Sequence, residues 1–344
     1  MKQQNVTIKF IAQKAGVSFS TVAKALHDDP AINSATRERI KAIAALYNYR
    51  PNILAKGLRS RRTHTIGVIL NDLQSPFYSE IYKAIGDVLH KKGYTMFLAD
   101  SKYDEQLEKK NISTMISQGV EGLIVSSVSE ESENIELLVN EGVKTVFIDN
   151  RPARNDICCV YVDHEAAAAQ AVGHVIAAGH RDILLLNGPE HLPSSQRFKR
   201  GYIETLASFG IPYRPNLVKH NLIDIKITAQ QIERILEGKD TVRGDEFTAI
   251  VTLSDVIAIG VYEAALTHHF SIPGTYSVVG YDNILATKYL SPPLTTVNQP
   301  KEQTGLYAIN MLLDSIEKPE SEMVQIILTP ELKVRSSVRP LEKT

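Results

Sequence analysis

A short segment near the N-terminus, residues 17–26, carries side chains that suit contact with DNA. Its sequence, VSFSTVAKAL, combines three hydroxyl groups and one cation with a regular apolar repeat, and it contains no acid. Hydroxyl and ammonium groups can hydrogen-bond to base edges and phosphates, whereas a carboxylate in the same place would be repelled by the phosphates. The segment therefore has the chemistry of a helix that lies against nucleic acid.

A second set of polar residues follows the predicted strands of the longer remainder of the chain. Ligands of parallel α/β sheets bind beyond the carboxyl ends of the strands, so the residues just after each strand indicate a cleft. Hydroxyls, carboxylates and amides there suit a polyhydroxylated ligand, because carboxylates accept hydrogen bonds from sugar hydroxyls. The alternative is structural: a helix cap, an ion pair or a core position. The candidate ligand residues are Asp72, Phe77, Tyr78, Ser126, Asp149, Asn150, Asp255 and Asp282.

Helical periodicity around the first segment predicts the elements that would position it. Apolar residues recur at helical spacing in residues 8–15, and Gly16 follows where a turn is needed. Ser18 can cap a second helix, and a third is predicted from a cap at Ser34 until Pro51 ends it. Two helices joined by a short turn and braced by a third form a helix-turn-helix, whose second helix enters the major groove.

The charge of the chain is divided unevenly, although its formal net charge is only -1. Residues 1–62 hold 12 Lys or Arg and 3 acids, a net charge of +9, while the remainder carries a net charge of -10. A basic head on an acidic body indicates a phosphate-binding module joined to a different kind of domain. The alternative is a solvated surface whose charge is lopsided without function.

The body of the chain shows the alternation of an α/β protein. Short β-branched runs such as TIGVIL, GLIVSS and DILLLN alternate with helical patterns over residues 63–340. This alternation predicts parallel sheets flanked by helices, and the length favours two sheets. We therefore predict a three-helix head in residues 1–50, a hinge helix in residues 51–62 and a ligand-binding body.

Several motifs resemble the lactose/galactose-repressor (LacI/GalR) family, and they keep the order and spacing of that family over nearly the whole chain. They are TIKFIAQKAGVSFSTVAKAL, TRERI, LYNYRPNILAKGL and TIGVI, followed by VGYDN, PPLTTVNQP and AINMLLDSI. The resemblance implies a transcriptional regulator, most simply a repressor, that binds a palindromic operator as a homodimer under allosteric control by a sugar or sugar derivative. It also implies a dimerisation body similar to periplasmic sugar-binding proteins, with lobe 1 at about 63–161 and 293–321 and lobe 2 at about 163–290 and 323–340.

The resemblance also suggests which residues contact DNA. Base reading falls to Phe19, Ser20 and Lys24, and two copies of the hinge helix would press Leu58 into the minor groove. Lys24 stands where the family usually has arginine, so guanine readout there should be weaker. The full predicted set is Thr7, Ser18, Phe19, Ser20, Thr21, Lys24, His27, Asn52, Ala55 and Leu58.

Two departures from the family concern the ligand. Phe198 occupies the slot of the family's ligand-gripping arginine, so either Arg197 acts from a shifted turn or Phe198 stacks on the ligand. Asn150 stands where the purine branch has tryptophan, and the chain has no tryptophan. A purine effector is therefore less favoured than a sugar. Control by a phosphoprotein partner stays open.

Composition and motifs exclude several other classes of protein. The sequence has no dinucleotide-binding, P-loop, hydrolase or zinc-protease motif, so we expect no catalysis, cofactor or metal. No apolar run is long enough to span a membrane, and no signal peptide precedes the head, which indicates a cytoplasmic protein. A transport-type sugar-binding protein would not need a basic head, and the short tail after the last strand favours a dimer over a tetramer.

Overall fold

The computed structural model describes residues 6–49, 62–318 and 323–341, and the chain divides into two compact units, Met1–Thr63 and His64–Thr344. Residues 51–61 of the predicted hinge helix, with Asn52, Ala55 and Leu58, lie outside the described residues. No helix of the described part is long and apolar enough to cross a membrane.

The first unit contains the three predicted helices, Ile8–Ala15 (α1), Phe19–Leu26 (α2) and Ser34–Leu46 (α3). The Thr7 and Ser18 hydroxyls cap α1 and α2 by accepting backbone N–H bonds. Gly16 ends α1 with φ +63°, a conformation that favours glycine. The cap of α3 is Asn33 and not Ser34, because the Asn33 side chain accepts from the Thr36 N–H at 2.8 Å. The buried core of the unit is Ile11, Ala12, Ala15, Val22, Ala25 and Ile40.

The second unit contains two six-stranded sheets within the described residues. Strands of the first sheet are Thr65–Leu70 (β1), Thr95–Asp100 (β2), Gly122–Val125 (β3), Thr145–Asp149 (β4), Cys158–Val162 (β5) and Gln325–Leu328 (β11). Strands of the second are Ile183–Leu186 (β6), Val218–Lys219 (β7), Ala249–Thr252 (β8), Ser277–Asp282 (β9), Thr295–Asn298 (β10) and Glu331–Lys333 (β12). The strand orders are β11-β5-β4-β3-β1-β2 and β12-β10-β9-β8-β6-β7, and all pairs are parallel except β10 with β12.

Helices cover these sheets as the alternating pattern predicts. Their bounds are Pro76–Lys91 (α4), Glu105–Ser117 (α5), Glu133–Asn140 (α6), His164–Ala177 (α7), Pro193–Ser208 (α8), Ile225–Leu236 (α9), Asp255–His268 (α10) and Lys301–Glu317 (α11). Central strands such as β1, β3 and β8 are buried along their whole length, which explains their continuous apolar sequences. We call the first sheet and its helices the first lobe, and the second sheet and its helices the second lobe.

The chain passes between the lobes at three places, two of which differ from the predicted boundaries. The first passage lies between β5 and α7. The second follows β10 rather than residues 290–293, because β10 pairs with β9 of the second sheet. The third follows β11 rather than residues 320–323, because β11 pairs with β5 of the first sheet. Strand pairing decides these boundaries, and local patterns do not encode it.

Candidate functional sites

The outward face of α2 presents the predicted base-reading side chains of the first unit. Phe19 is 53% exposed, unusual for a phenylalanine, and the Lys24 side chain is similarly exposed. The Ser18 and Thr21 hydroxyls lie 2.9 Å apart at the start of the helix. His27 is exposed at its C-terminal cap. The helix therefore offers an aromatic ring, hydroxyls and one cation on a surface that carries no acid within α2.

The second unit has a cavity of about 130 Å³ between the carboxyl ends of the two sheets. Strands β1 and β4 of the first lobe and β6, β8 and β9 of the second lead into it, as expected for open α/β sheets. The predicted ligand residues that line it are Asp72, Phe77, Tyr78, Asp149, Asn150 and Asp282. Strand ends thus supply polar groups from both lobes to one site.

Ser126 lies behind the wall of the cavity rather than on it. Its hydroxyl is fully buried, 3.0 Å from Asn71 Nδ2 and 3.1 Å from the Tyr78 hydroxyl. Tyr78 in turn donates to Asp149 Oδ2 at 2.8 Å. Ser126 therefore positions the side chains that line the cavity.

The prediction that Asp255 lines the cavity is wrong. Asp255 is fully buried at the start of α10, where it accepts from the Thr296 hydroxyl at 2.6 Å and from the Ile284 N–H at 2.8 Å. A Cβ on Gly280 would lie 2.1 Å from Asp255 Oδ1, so glycine is required beneath it. Burial raises the pKa of Asp255 to about 7. The preceding residue, Ser254, lines the cavity in its place.

Neither candidate for the missing ligand arginine lines the cavity. Phe198 has no exposed surface and packs in the second-lobe core, with its ring centroid 5.3 Å from that of Tyr281. Arg197 instead reaches Glu130 of the first lobe with two hydrogen bonds of 3.1 and 3.0 Å. Because α8 turns these neighbours by about 100°, one faces the core and the other the opposite lobe. This bidentate ion pair joins the lobes directly.

Sequence reasoning missed several residues that line the cavity. They are Ser75, Tyr103, His164, Ser254, Tyr281 and Gln299, with the apolar contacts Leu192, Leu222, Ile223 and Val256. The rule of reading beyond strand ends would have found His164, which follows β5 by two residues. The same rule would have found Gln299, which directly follows β10, whereas Tyr103 lies in the loop between β2 and α5.

Burial controls the charges in the cavity. It raises the pKa of Asp149 and raises that of Asp282 well above its ordinary value, with the nearby Asp255 adding to the second effect. Asp282 Oδ1 accepts from Gln299 Nε2 at 2.7 Å, and the Lys301 ammonium binds the Asp282 carbonyl. Burial also lowers the pKa of His164, so its imidazole is neutral near pH 7. No Lys or Arg belongs to the cavity wall among the described residues.

Three buried polar atoms on the cavity wall have no hydrogen-bond partner. They are Asn150 Oδ1, His164 Nε2 and Gln299 Oε1. The other amide atoms are used, since Asn150 Nδ2 donates to the Ser127 carbonyl at 2.7 Å and Gln299 Nε2 to Asp282. An unpaired buried polar atom destabilises the folded state, and a bound ligand or water can satisfy it. Two of the three atoms, the amide oxygens of Asn150 and Gln299, are acceptors, and they add to the oxygens of the aspartate side chains on the wall.

Two family models match the chain in agreement with this geometry. One, described as periplasmic binding proteins and sugar binding domain of the LacI family, matches residues 63–335. The other, bacterial regulatory proteins of the lacI family, matches residues 7–52. The chain belongs to the LacI family. It is a transcription regulator and not an enzyme, as the sequence predicted.

Individual members of the LacI family align over most of this chain. Catabolite control protein A of Priestia megaterium is 29% identical over 97% of this chain and 100% of that protein. A Lac repressor dimer bound to operator and the anti-inducer ONPF matches with a TM-score of 0.82 and 25% identity, over 98% of this chain and 100% of that one. A LacI-family regulator from Enterococcus faecium with bound ribose matches with a TM-score of 0.72 and 28% identity, covering 81% and 100%.

Proposed function

We propose that this protein is a cytoplasmic, homodimeric transcriptional repressor whose affinity for operator DNA is set by a neutral sugar in the cavity between the lobes. The side chains of α2 would read the operator, with phosphate contacts from Thr7 and Thr21. The predicted hinge, residues 51–62, would carry the signal between DNA and cavity.

The observation that carries the effector class is the imbalance of hydrogen-bonding groups on the cavity wall. Asp72, Asp149 and Asp282 bring carboxylates, Asn150 and Gln299 bring unpaired amide oxygens, and no cation faces them among the described lining residues. A ligand that donates many hydrogen bonds and carries no negative charge fits this wall. A neutral sugar does so, whereas a phosphorylated sugar would place its anion against carboxylates.

The aromatic side chains support the same ligand class. Phe77, Tyr78, Tyr103 and Tyr281 contribute rings to the cavity, and apolar ring faces suit the C–H faces of sugars. Ribose bound to the E. faecium regulator agrees with a sugar. Asn150 stands where the purine branch of the family has the tryptophan that stacks on its ligand, so a purine is less favoured than a sugar.

An exposed apolar strand edge supports the dimer. β2 lies at the edge of the first sheet, and Phe97 and Leu98 on it are 39% and 36% exposed. An uncovered edge strand with apolar side chains is a surface that proteins normally cover. The relative solved on operator is also a dimer.

Calorimetry of the full-length protein against D-ribose, D-glucose, D-galactose and cellobiose tests the effector class. We expect saturable binding of at least one neutral sugar, with weaker or no binding of its phosphate ester and of guanine. Operator affinity, measured with and without that sugar, should change severalfold, since allosteric coupling is typically worth about 1–3 kcal/mol. Preference for the phosphate ester or for guanine would contradict the proposal.

A further inference from the structure

Seven buried or nearly buried polar side chains form a series of contacts beside the cavity that runs from the first lobe to the second. In order they are Ser101, Asn71, Ser126, Tyr78, Asp149, His164 and Tyr281. On the first-lobe side, each neighbour up to Asp149 is joined by a hydrogen bond of 2.8–3.1 Å. On the second-lobe side, His164 Nδ1 and the Tyr281 hydroxyl are 2.8 Å apart.

The series is interrupted once, and the interruption faces the cavity. Asp149 Oδ1 and His164 Nε2 are 4.0 Å apart, which is too long for a hydrogen bond. His164 Nε2 is also one of the unpaired buried atoms, and both residues line the cavity. The two lobes therefore approach each other here without completing the contact.

The state of His164 decides what can bind in the gap. Its imidazole is neutral, so one ring nitrogen carries a proton and the other accepts. The Asp149 carboxylate favours an N–H on Nε2, and the Tyr281 hydroxyl can then donate to Nδ1. The gap accordingly presents one donor, Nε2–H, opposite one acceptor, Asp149 Oδ1.

We propose that a single hydroxyl group of the effector binds in this gap, accepting from His164 Nε2 and donating to Asp149 Oδ1. The proposal rests on the neutral-sugar effector proposed above. For a hydroxyl oxygen within hydrogen-bonding distance of both atoms, the angle at that oxygen between His164 Nε2 and Asp149 Oδ1 would be about 90°. A hydroxyl group can accept one hydrogen bond and donate another at this angle. His164 is then a specificity residue for the effector, and Tyr281 is a positioning residue that fixes its tautomer.

The chemistry of the gap selects a group that both donates and accepts. An ammonium cannot accept from Nε2–H, and a phosphate or carboxylate oxygen cannot donate to Asp149 and is repelled by it. A hydroxyl satisfies both sides and joins the hydrogen bonds of the two lobes. The same contact that recognises the effector thus holds the lobes together, while a sugar that lacks this hydroxyl would leave His164 Nε2 unpaired.

The test compares His164→Gln and Tyr281→Phe with matched controls in the full-length protein. His180→Gln alters another buried histidine of the second lobe, whose ring bonds Thr248 and the Arg339 carbonyl, and Tyr202→Phe removes another buried hydroxyl, which donates to the Ile183 carbonyl. Neither control residue lines the cavity. Calorimetry would use the tightest-binding sugar of the panel above and its monodeoxy analogues.

We expect the parent protein and both controls to bind one monodeoxy analogue about 10- to 100-fold more weakly than the sugar, as for a hydrogen bond lost to a buried polar group. His164→Gln should bind the two ligands within about threefold of each other, and Tyr281→Phe should show an intermediate ratio. If either residue has only a structural role, its substitution would lower the affinities for the sugar and for the analogue equally, and the ratio of the two affinities would stay as in the parent protein.

Two contrary results can be told apart. If a sugar binds but His164→Gln keeps the parent's discrimination against every monodeoxy analogue, the hydroxyl in the gap is wrong while the sugar effector stands. If no sugar of the panel binds the parent, the proposed effector class fails and this inference fails with it. Nitrogen NMR of His164 in the sugar-free protein adds an independent reading, because a proton on Nδ1 rather than Nε2 would also overturn the proposal.

Discussion

The surface of α2 and the cavity between the lobes present polar side chains in opposite ways. On α2 the polar groups are exposed and their contacts are local, as between Ser18 and Thr21. In the cavity several polar groups are held by partners distant in sequence, as Tyr78 is by Asp149 and Asp282 is by Gln299. The first surface suits a charged, hydrated polymer, and the second suits a small neutral molecule that replaces water.

The largest expected difference between the two surfaces is the salt dependence of their ligand affinities. We expect operator affinity to fall about a hundredfold or more between 50 and 200 mM salt, because each phosphate contact releases about one counterion. Sugar affinity should change less than twofold, since a neutral ligand releases none. Titrations of the full-length protein with both ligands at several salt concentrations measure this difference, and parallel losses would contradict the contrast.

Asp282→Ala should lower the affinity for the effector by at least tenfold and leave operator binding in the absence of sugar intact. The substitution removes a buried carboxylate from the cavity wall and leaves Gln299 Nε2 without its acceptor. Calorimetry with the sugar and a gel-shift assay with operator give the two readings. Lys24→Glu is the reciprocal variant, since it should abolish operator binding and spare the sugar. An equal loss of both activities in either variant would indicate unfolding instead.

The elements that form the α2 surface can be predicted from the sequence almost completely, and the lining of the cavity only in part. Caps, a glycine turn and an acid-free helix are local signals, so α2 and its neighbours are predicted from the sequence, with only the cap of α3 wrong by one residue, at Ser34 instead of Asn33. Asp149 and Asp282 were found because strand ends meet at one edge of a sheet. The predictions that Asp255 and Phe198 contact the ligand are wrong, because only tertiary packing decides whether a side chain at such a position faces the cavity or the core.

Arg197 shows most clearly what local sequence patterns leave out, because its partner, Glu130, belongs to the other lobe and is distant in sequence. We expect Arg197→Ala and Glu130→Ala each to change the coupling between sugar and operator by about 1 kcal/mol, as for a bidentate ion pair that is partly buried. The double variant should behave like either single one. Arg200→Ala is the control, since its ion pair with Glu165 stays within the second lobe. Strict additivity of the two substitutions would show that the pair does not link the lobes.

The last prediction concerns the pH dependence of stability and comes from the buried Asp255. Its pKa of about 7 in the folded protein exceeds the ordinary value near 3.8, so the folded state holds a proton that the unfolded state has released. The contribution of the protonated Asp255 to the free energy of unfolding is fully present below the pKa that Asp255 has in the unfolded state. It is lost as the pH rises through about 7. The free energy of unfolding of the parent should therefore decline from about pH 4 to pH 7 relative to Asp255→Asn, whose amide stands in for the protonated acid towards Thr296. Urea unfolding of both proteins across this pH range measures the difference. A parent that instead gains stability relative to Asp255→Asn as pH rises would show that Asp255 is held as a carboxylate by the Thr296 and Ile284 hydrogen bonds, and that these bonds outweigh its burial.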